Sequence, residues 1–212
     1  MKFKKLFAGV AAAATLLAGM AFGTGAANAA ETTVDTAATV TFKASKEKQL
    51  TSAQLSAYKI ADYVNYGTAK TPVYGVKTAA GANRTKLAAA LTAAGFQNVP
   101  IDGTTDLMAW AMNQKTTTDT DGTVTQVQFD QSETRPWNNP SVTRKFADAL
   151  QAGNPFTATA DPFVLNKATG NDTDGWTATN KTALTAGVYL FLDGNASTDT
   201  LTQAVDREHR LR

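Results

Sequence analysis

The side chains able to do chemistry are few in kind. The 212 residues hold 18 Asp+Glu, 20 Lys+Arg, one His and no Cys. Without Cys there is no disulfide framework, thiolate zinc site, iron–sulfur cluster or cysteine nucleophile. The sole His, His209, stands in the final heptapeptide. A Ser–His–Asp relay or a His-based metal site therefore lacks material. No Gly-x-Ser-x-Gly elbow, phosphate loop or dinucleotide fingerprint occurs either. Carboxylates and indoles remain.

Two Asp-x-Asp-Gly segments, Asp119–Gly122 and Asp172–Gly175, offer the hard oxygen ligands that calcium prefers. A calcium loop of the EF-hand type needs glycine at its sixth position and a bidentate Glu at its twelfth. Gly122 is the fourth residue from Asp119, and the twelfth is Asp130. The segments therefore read as Asp-Gly turns between strands, the first followed by the alternating run 123–129. Paired carboxylates also run glycoside hydrolysis, but Asp and Glu are spread here without a distinguishing pattern. Trp110, Trp137 and Trp176 are candidates for stacking on sugars in a lectin-like cleft. Trp110 falls on a helical stripe and reads as core. Trp137 precedes a helix cap and reads as its hydrophobic staple. No catalytic residue, metal ligand or cofactor-binding residue is assigned.

The elements that must position these groups begin after an export signal. Lys2, Lys4 and Lys5 precede the uncharged apolar run Leu6–Phe22, and Ala27-Asn28-Ala29 supplies small residues at an A-x-A cleavage position. Cleavage is expected between Ala29 and Ala30. The apolar run is marginal for a spanning helix, which needs ~20 apolar residues, and no later stretch is long enough, so the mature chain is expected to carry no membrane span. Losing residues 1–29 leaves 17 basic and 18 acidic side chains, a net charge of −1. With no basic patch, nucleic acid is not an expected partner.

The mature chain reads as strands with a helical middle. The whole sequence holds 34 threonines, many beside Val, Phe or Tyr, a composition that favours half-wet strands. In residues 38–44, Val40, Phe42 and Ala44 alternate with Thr41 and Lys43, and Lys46 and Lys48 extend this as a solvated strand end. Further strands are expected at 55–62, 73–76, 124–129, 156–165, 176–178 and 187–193. The last, Gly-Val-Tyr-Leu-Phe-Leu-Asp, reads as a central strand buried on both faces. Asn83 caps a helix over 84–94 that Gly95 ends. Thr104 or Thr105 caps a helix with Asp106 in its first turn and Leu107, Trp110 and Ala111 buried. Asn139 caps a third helix, with Pro140 at its first position and Val142, Phe146, Ala149 and Leu150 aligned. The fold class is mainly β: one antiparallel sandwich with short helices inserted over about 83–153.

Three runs carry a resemblance: Leu55-Ser-Ala-Tyr-Lys-Ile-Ala-Asp62, Phe146-Ala-Asp-Ala-Leu150 and Leu184-Thr-Ala-Gly-Val-Tyr-Leu-Phe-Leu-Asp193. Together with export and the lack of Cys, residues 36–205 resemble the N-terminal domain of sortase-assembled fimbrial subunits of Gram-positive bacteria. The resemblance implies immunoglobulin-like domains strung into a shaft, Lys–Asn isopeptide bonds, and other pilin subunits and a sortase as partners. With the catalytic motifs missing, no enzymatic activity and no cofactor are expected. The family's assembly lysine in a Tyr-Pro-Lys-like context and its Leu-Pro-x-Thr-Gly sorting signal do not occur in this sequence. After Val205 the chain turns to the charged tail Asp206–Arg212. The expectation is therefore a shortened or frame-shifted reading of a longer subunit, with residues 30–205 as its first domain. For an internal isopeptide, Lys43 and Asn195 are the candidates, although alternation turns Lys43 to water. Localisation is expected to be secreted, at the cell surface or wall. The rival readings are an adhesin domain for a host glycan or matrix protein, and a secreted glycoside hydrolase.

N-terminal sequencing of the exported protein is expected to begin at Ala30. The intact mass reads the isopeptide directly, because the bond expels ammonia and removes ~17 Da.

Overall fold

The computed structural model describes residues 5–7, 32–34, 37–68, 70–129 and 141–193. In chain order the elements begin with β1 Lys5–Phe7, β2 Thr32–Thr33, β3 Ala37–Ala38, β4 Thr41–Ala44, α1 Glu47–Thr51 and β5 Leu55–Asn65. The middle holds β6 Tyr74–Thr78, α2 Arg84–Ala94, α3 Leu107–Met112, β7 Thr117–Thr118, β8 Val124–Gln126 and α4 Val142–Ala152. Then come β9 Ala158–Phe163, β10 Thr169–Asn171, β11 Gly175–Thr179, β12 Leu184–Thr185 and β13 Gly187–Asp193. The ladders β1–β13, β2–β5, β5–β6, β5–β9, β4–β11, β10–β11, β3–β12 and β7–β8 are all antiparallel. The chain is thus mostly β with a few short helices, an arrangement compatible with a sandwich. Among the described residues no helix is long and apolar enough to cross a membrane.

The described residues fall into two compact units: 5–7, 37–58 and 158–193 in the first, and 32–34, 59–68, 70–129 and 141–157 in the second. In the first unit, β4 alternates as its sequence predicts, with Phe42 and Ala44 buried and Thr41 and Lys43 exposed. Phe42, Phe163 and Phe191 form its centre, with ring centroids 5.2 Å apart for Phe42–Phe191, 5.0 Å for Phe163–Phe191 and 6.0 Å for Phe42–Phe163. Edge-on and tilted pairs at these separations add to the gain from burial alone. In β13, Leu190, Phe191, Leu192 and Asp193 are buried in succession, so both faces of its second half are covered, while Val188 and Tyr189 are half-buried.

A polar clip holds the first unit's β framework. Asn180 is 6% exposed. Its Oδ1 accepts the Val40 N–H at 2.6 Å and its Nδ2 donates to the Thr182 carbonyl at 2.8 Å. Val40 is itself fully buried, so its amide has no water to turn to. The β10–β11 hairpin turns through Gly175 at φ +89°, and at Gly170, φ +138°, a Cβ would collide with the Gly175 backbone.

Where a solvated strand end is expected at Lys46 and Lys48, the chain forms α1 instead. The Gln49 Oε1 accepts both the Lys46 N–H and the Ser45 hydroxyl at 3.0 Å, which closes the first turn on a residue that is not a usual cap.

In the second unit the outer half of β5 pairs with β6 and β2 as far as Asn65, which is why β5 outruns its expected end at Asp62. α2 matches its expectation. Asn83 Oδ1 accepts the Lys86 N–H, Gly95 is left-handed at φ +108°, and Leu87, Ala90, Leu91 and Ala94 are buried. The other two helix starts differ. α3 is capped by Asp106 rather than Thr104 or Thr105, since its carboxylate accepts the Ala109 N–H at 2.9 Å. α4 is capped by Ser141, whose Oγ accepts the Arg144 N–H at 3.1 Å, so the expected cap at Asn139 is displaced. A short side chain directly before the first helical turn outcompetes one placed two residues earlier. Asn139, Pro140 and Trp137 themselves lie outside the described residues. α4 buries Phe146, Ala147 and Leu150, with Val142 and Ala149 only half-buried. β8 ends at Gln126, short of the expected 129, and Phe129 packs edge-on against Phe96 and Phe146 at 4.9 and 5.2 Å.

Asn180→Ala is expected to destabilise the protein by about 1–3 kcal/mol, because it strands the buried Val40 amide. Chemical denaturation would show a lower midpoint with an unchanged slope.

Candidate functional site

The described acidic residues bond to backbone amides or to single side-chain partners. In the first Asp-x-Asp-Gly segment, Asp119 N–H donates to the Thr123 carbonyl and Gly122 N–H to the Asp119 carbonyl, with Gly122 at φ +87°. The Asp121 Oδ1 accepts the Thr123 N–H at 2.9 Å, which holds its carboxyl below the usual range. This is the hairpin turn between β7 and β8. The second segment turns β10 into β11. There the Asn171 Oδ1 accepts the Thr173 and Asp174 amides, and Asp172 takes the Trp176 indole N–H at 2.9 Å and the Lys46 ammonium at 2.6 Å. The side-chain hydrogen bonds from Lys46 and then Trp176 lower the Asp172 pKa. Among the described residues no group of three or more His, Asp or Glu is placed to hold a metal.

A polar cluster in the second unit surrounds a cavity of about 290 Å³ lined by Lys77, Thr78, Arg84, Thr104, Asp106 and Leu107 among others. Asp106 is its hub. Its carboxylate accepts the Thr78 N–H at 2.9 Å, the Thr78 hydroxyl at 2.8 Å and the Ala109 N–H. The Thr78 Oγ in turn accepts the Met108 N–H at 3.0 Å, so strand β6 and helix α3 are joined through two side chains. Arg84 donates to the Thr105 carbonyl at 2.6 Å and to the Pro100 carbonyl at 3.3 Å, and its guanidinium lies 3.5 Å from Asp102. Asp102 accepts the Thr105 hydroxyl and the Thr104 and Thr105 amides, and the Thr105 side chain leads in holding its carboxyl far below the usual range. The cluster can hold a loop in one conformation. Its Asp106 and Arg84 groups are engaged with backbone, so the geometry is that of a brace.

The indoles separate in the same way. Trp110 is half-buried with its ring 5.9 Å from that of Phe96, and Trp176 packs on the first unit's core while its N–H goes to Asp172. Lys43 is exposed on β4, as alternation predicts. Ala29, Ala30, Asn195, His209 and the tail 206–212 lie outside the described residues.

Three features were not anticipated from sequence. The Asp102 and Asp106 roles carry a local signal, since Asp102-Gly-Thr-Thr is a self-bonding Asp turn and Asp106 directly precedes the apolar helix. Asn180 carries none, because its partner Val40 is distant along the chain.

No protein-family model, curated protein or solved structure matches the chain.

Asp106→Ala is expected to cost about 1–3 kcal/mol, because it removes a helix cap and the acceptor for Thr78 together. Asp102 has its folded pKa depressed, so its stabilising contribution is complete above the unfolded pKa of about 4 and fades only as pH falls through the lower folded value. A carbon-detected NMR titration is expected to find the Asp102 carboxyl still ionised near pH ~3, where an ordinary Asp is mostly protonated.

Proposed function

We propose that the exported chain is a non-enzymatic structural domain of a cell-surface fimbrium, an immunoglobulin-like sandwich that serves shaft building or adhesion. One observation carries the reading. The three runs that resemble fimbrial subunits are elements that build the cores. Leu55–Asp62 lies in β5, Phe146–Leu150 supplies the buried positions of α4, and Leu184–Asp193 forms β12 and β13. Side-chain chemistry agrees, since Asp121, Asp102 and Asp106 are spent on turns and a cap, and Asp172 on the Lys46 ammonium and the Trp176 indole. Threonines face one another across the hairpins, exposed Thr117 with half-buried Thr125 at 2.9 Å and exposed Thr169 with half-buried Thr177 at 3.4 Å, polar pairs suited to the wet side of an extracellular module. Other pilin subunits and a sortase are the partners this reading brings.

Immunogold labelling of the encoding bacterium with antibody to this domain is expected to decorate surface fibres. Cell-wall extracts are expected to show a ladder that survives boiling in detergent and disappears when a neighbouring sortase gene is deleted. Label confined to the medium, with a single monomer band, would overturn the reading. Saturable binding on a glycan array without fibres would move the assignment to the adhesin.

A further inference from the structure

The outer edge of β13 carries a seat for one more strand. In its sheet β13 lies between β5 and β1. β1 adds antiparallel, with Lys5, Leu6 and Phe7 opposite Asp193, Leu192 and Phe191. Those three β1 residues belong to the segment read above as the export signal. When cleavage after Ala29 takes that segment away, the strand that fills the seat goes with it. An edge left in this state presents backbone N–H and C=O groups ready to pair with another chain.

The edge is also set in place from behind. The Asp193 Oδ1 accepts the Gln54 N–H at 3.0 Å, which fixes the end of β13, and Phe191 is locked among Phe42 and Phe163. A strand arriving here meets a preformed partner and bears most of the ordering cost itself.

We propose that the outer edge of β13 is a strand-addition site, at which the mature domain takes an extended antiparallel segment donated by a neighbouring fimbrial subunit. The inference rests on the export and fimbrial readings above and names one way in which subunits touch. The β1 register describes the donor. Residues directly opposite in an antiparallel pair share a face, and β13 is buried on both faces at Phe191 and Leu192. The donor therefore needs large apolar side chains at two consecutive positions. Backbone pairing supplies the attraction, and those two side chains set the register, because a slip of one residue exchanges their faces.

The test uses the exported protein as recovered from culture, its N-terminus read by mass spectrometry. A synthetic peptide of residues 3–9, Phe-Lys-Lys-Leu-Phe-Ala-Gly, stands in for the donor strand, and amide exchange is followed by NMR. Saturable binding is expected, with exchange at the outward-facing amides among Phe191–Asp193 slowed about tenfold or more. The same peptide carrying Leu6→Pro and Phe7→Pro is expected to give no slowing: successive N–H groups of a strand point to opposite sides, so one of the two prolines removes a ladder N–H. The proposal is overturned if neither peptide slows exchange, or if both do so equally. It is overturned as well if these amides are already protected without peptide, which would mean that the protein's own chain fills the edge, or if the exported protein retains Met1. The two readings can fail separately: peptide binding without surface fibres removes the fimbrial one, and fibres without peptide binding remove the seat.

Discussion

Phe191 must be kept from water on one face of β13 while Leu190 and Leu192 are kept from it on the other, and much of the first unit follows from that requirement. A strand apolar on both faces has no wet side and can only be interior. Phe42 and Phe163 supply the cover on the Phe191 face, from strands far apart in the chain. The neighbouring backbone must then be satisfied without solvent, which is the work of Asn180 on the Val40 amide and of Asp193 on the Gln54 amide. Apolar packing decides where these strands lie, and a small number of buried polar atoms keeps that packing affordable.

The second unit solves a related problem with helices. α2 and α4 bring Leu87, Leu91, Phe146 and Leu150 inward, and Phe96, Phe129 and Trp110 fill the space between elements with tilted rings. Asp106 and Thr78 then lock β6 to the start of α3. Among the described carboxylates, Asp102, Asp106, Asp121 and Asp193 accept backbone amides, whereas Asp62, Asp148 and Asp172 pair with Lys or Arg side chains.

Local signals made part of this legible in the sequence. Asn83 and Gly95 bracket α2 because a cap and a left-handed stop act within a few residues of themselves. β4 alternates as its pattern predicts, and β13 is buried on both faces over 190–193, with Val188 and Tyr189 half-buried. The start of α4 was displaced because Asn139 and Ser141 are both good caps and only the geometry of the first turn chooses between them. α1 was missed because its closure depends on Gln49 folding back onto Ser45 and Lys46, in a segment whose composition also suits a strand end.

The sequence by itself determined the mainly β class, the helical middle, the apolar strand at 187–193 and the narrow range of chemistry open to a chain with one His and no Cys. Periodicity, caps and composition are local properties, readable without knowing what packs against what. Only the tertiary structure decided that Asn180 serves Val40, that Phe42, Phe163 and Phe191 share one centre, and that Asp106 joins β6 to α3. These pairings depend on which distant segments meet once apolar surface is buried, and no spacing along the chain encodes them.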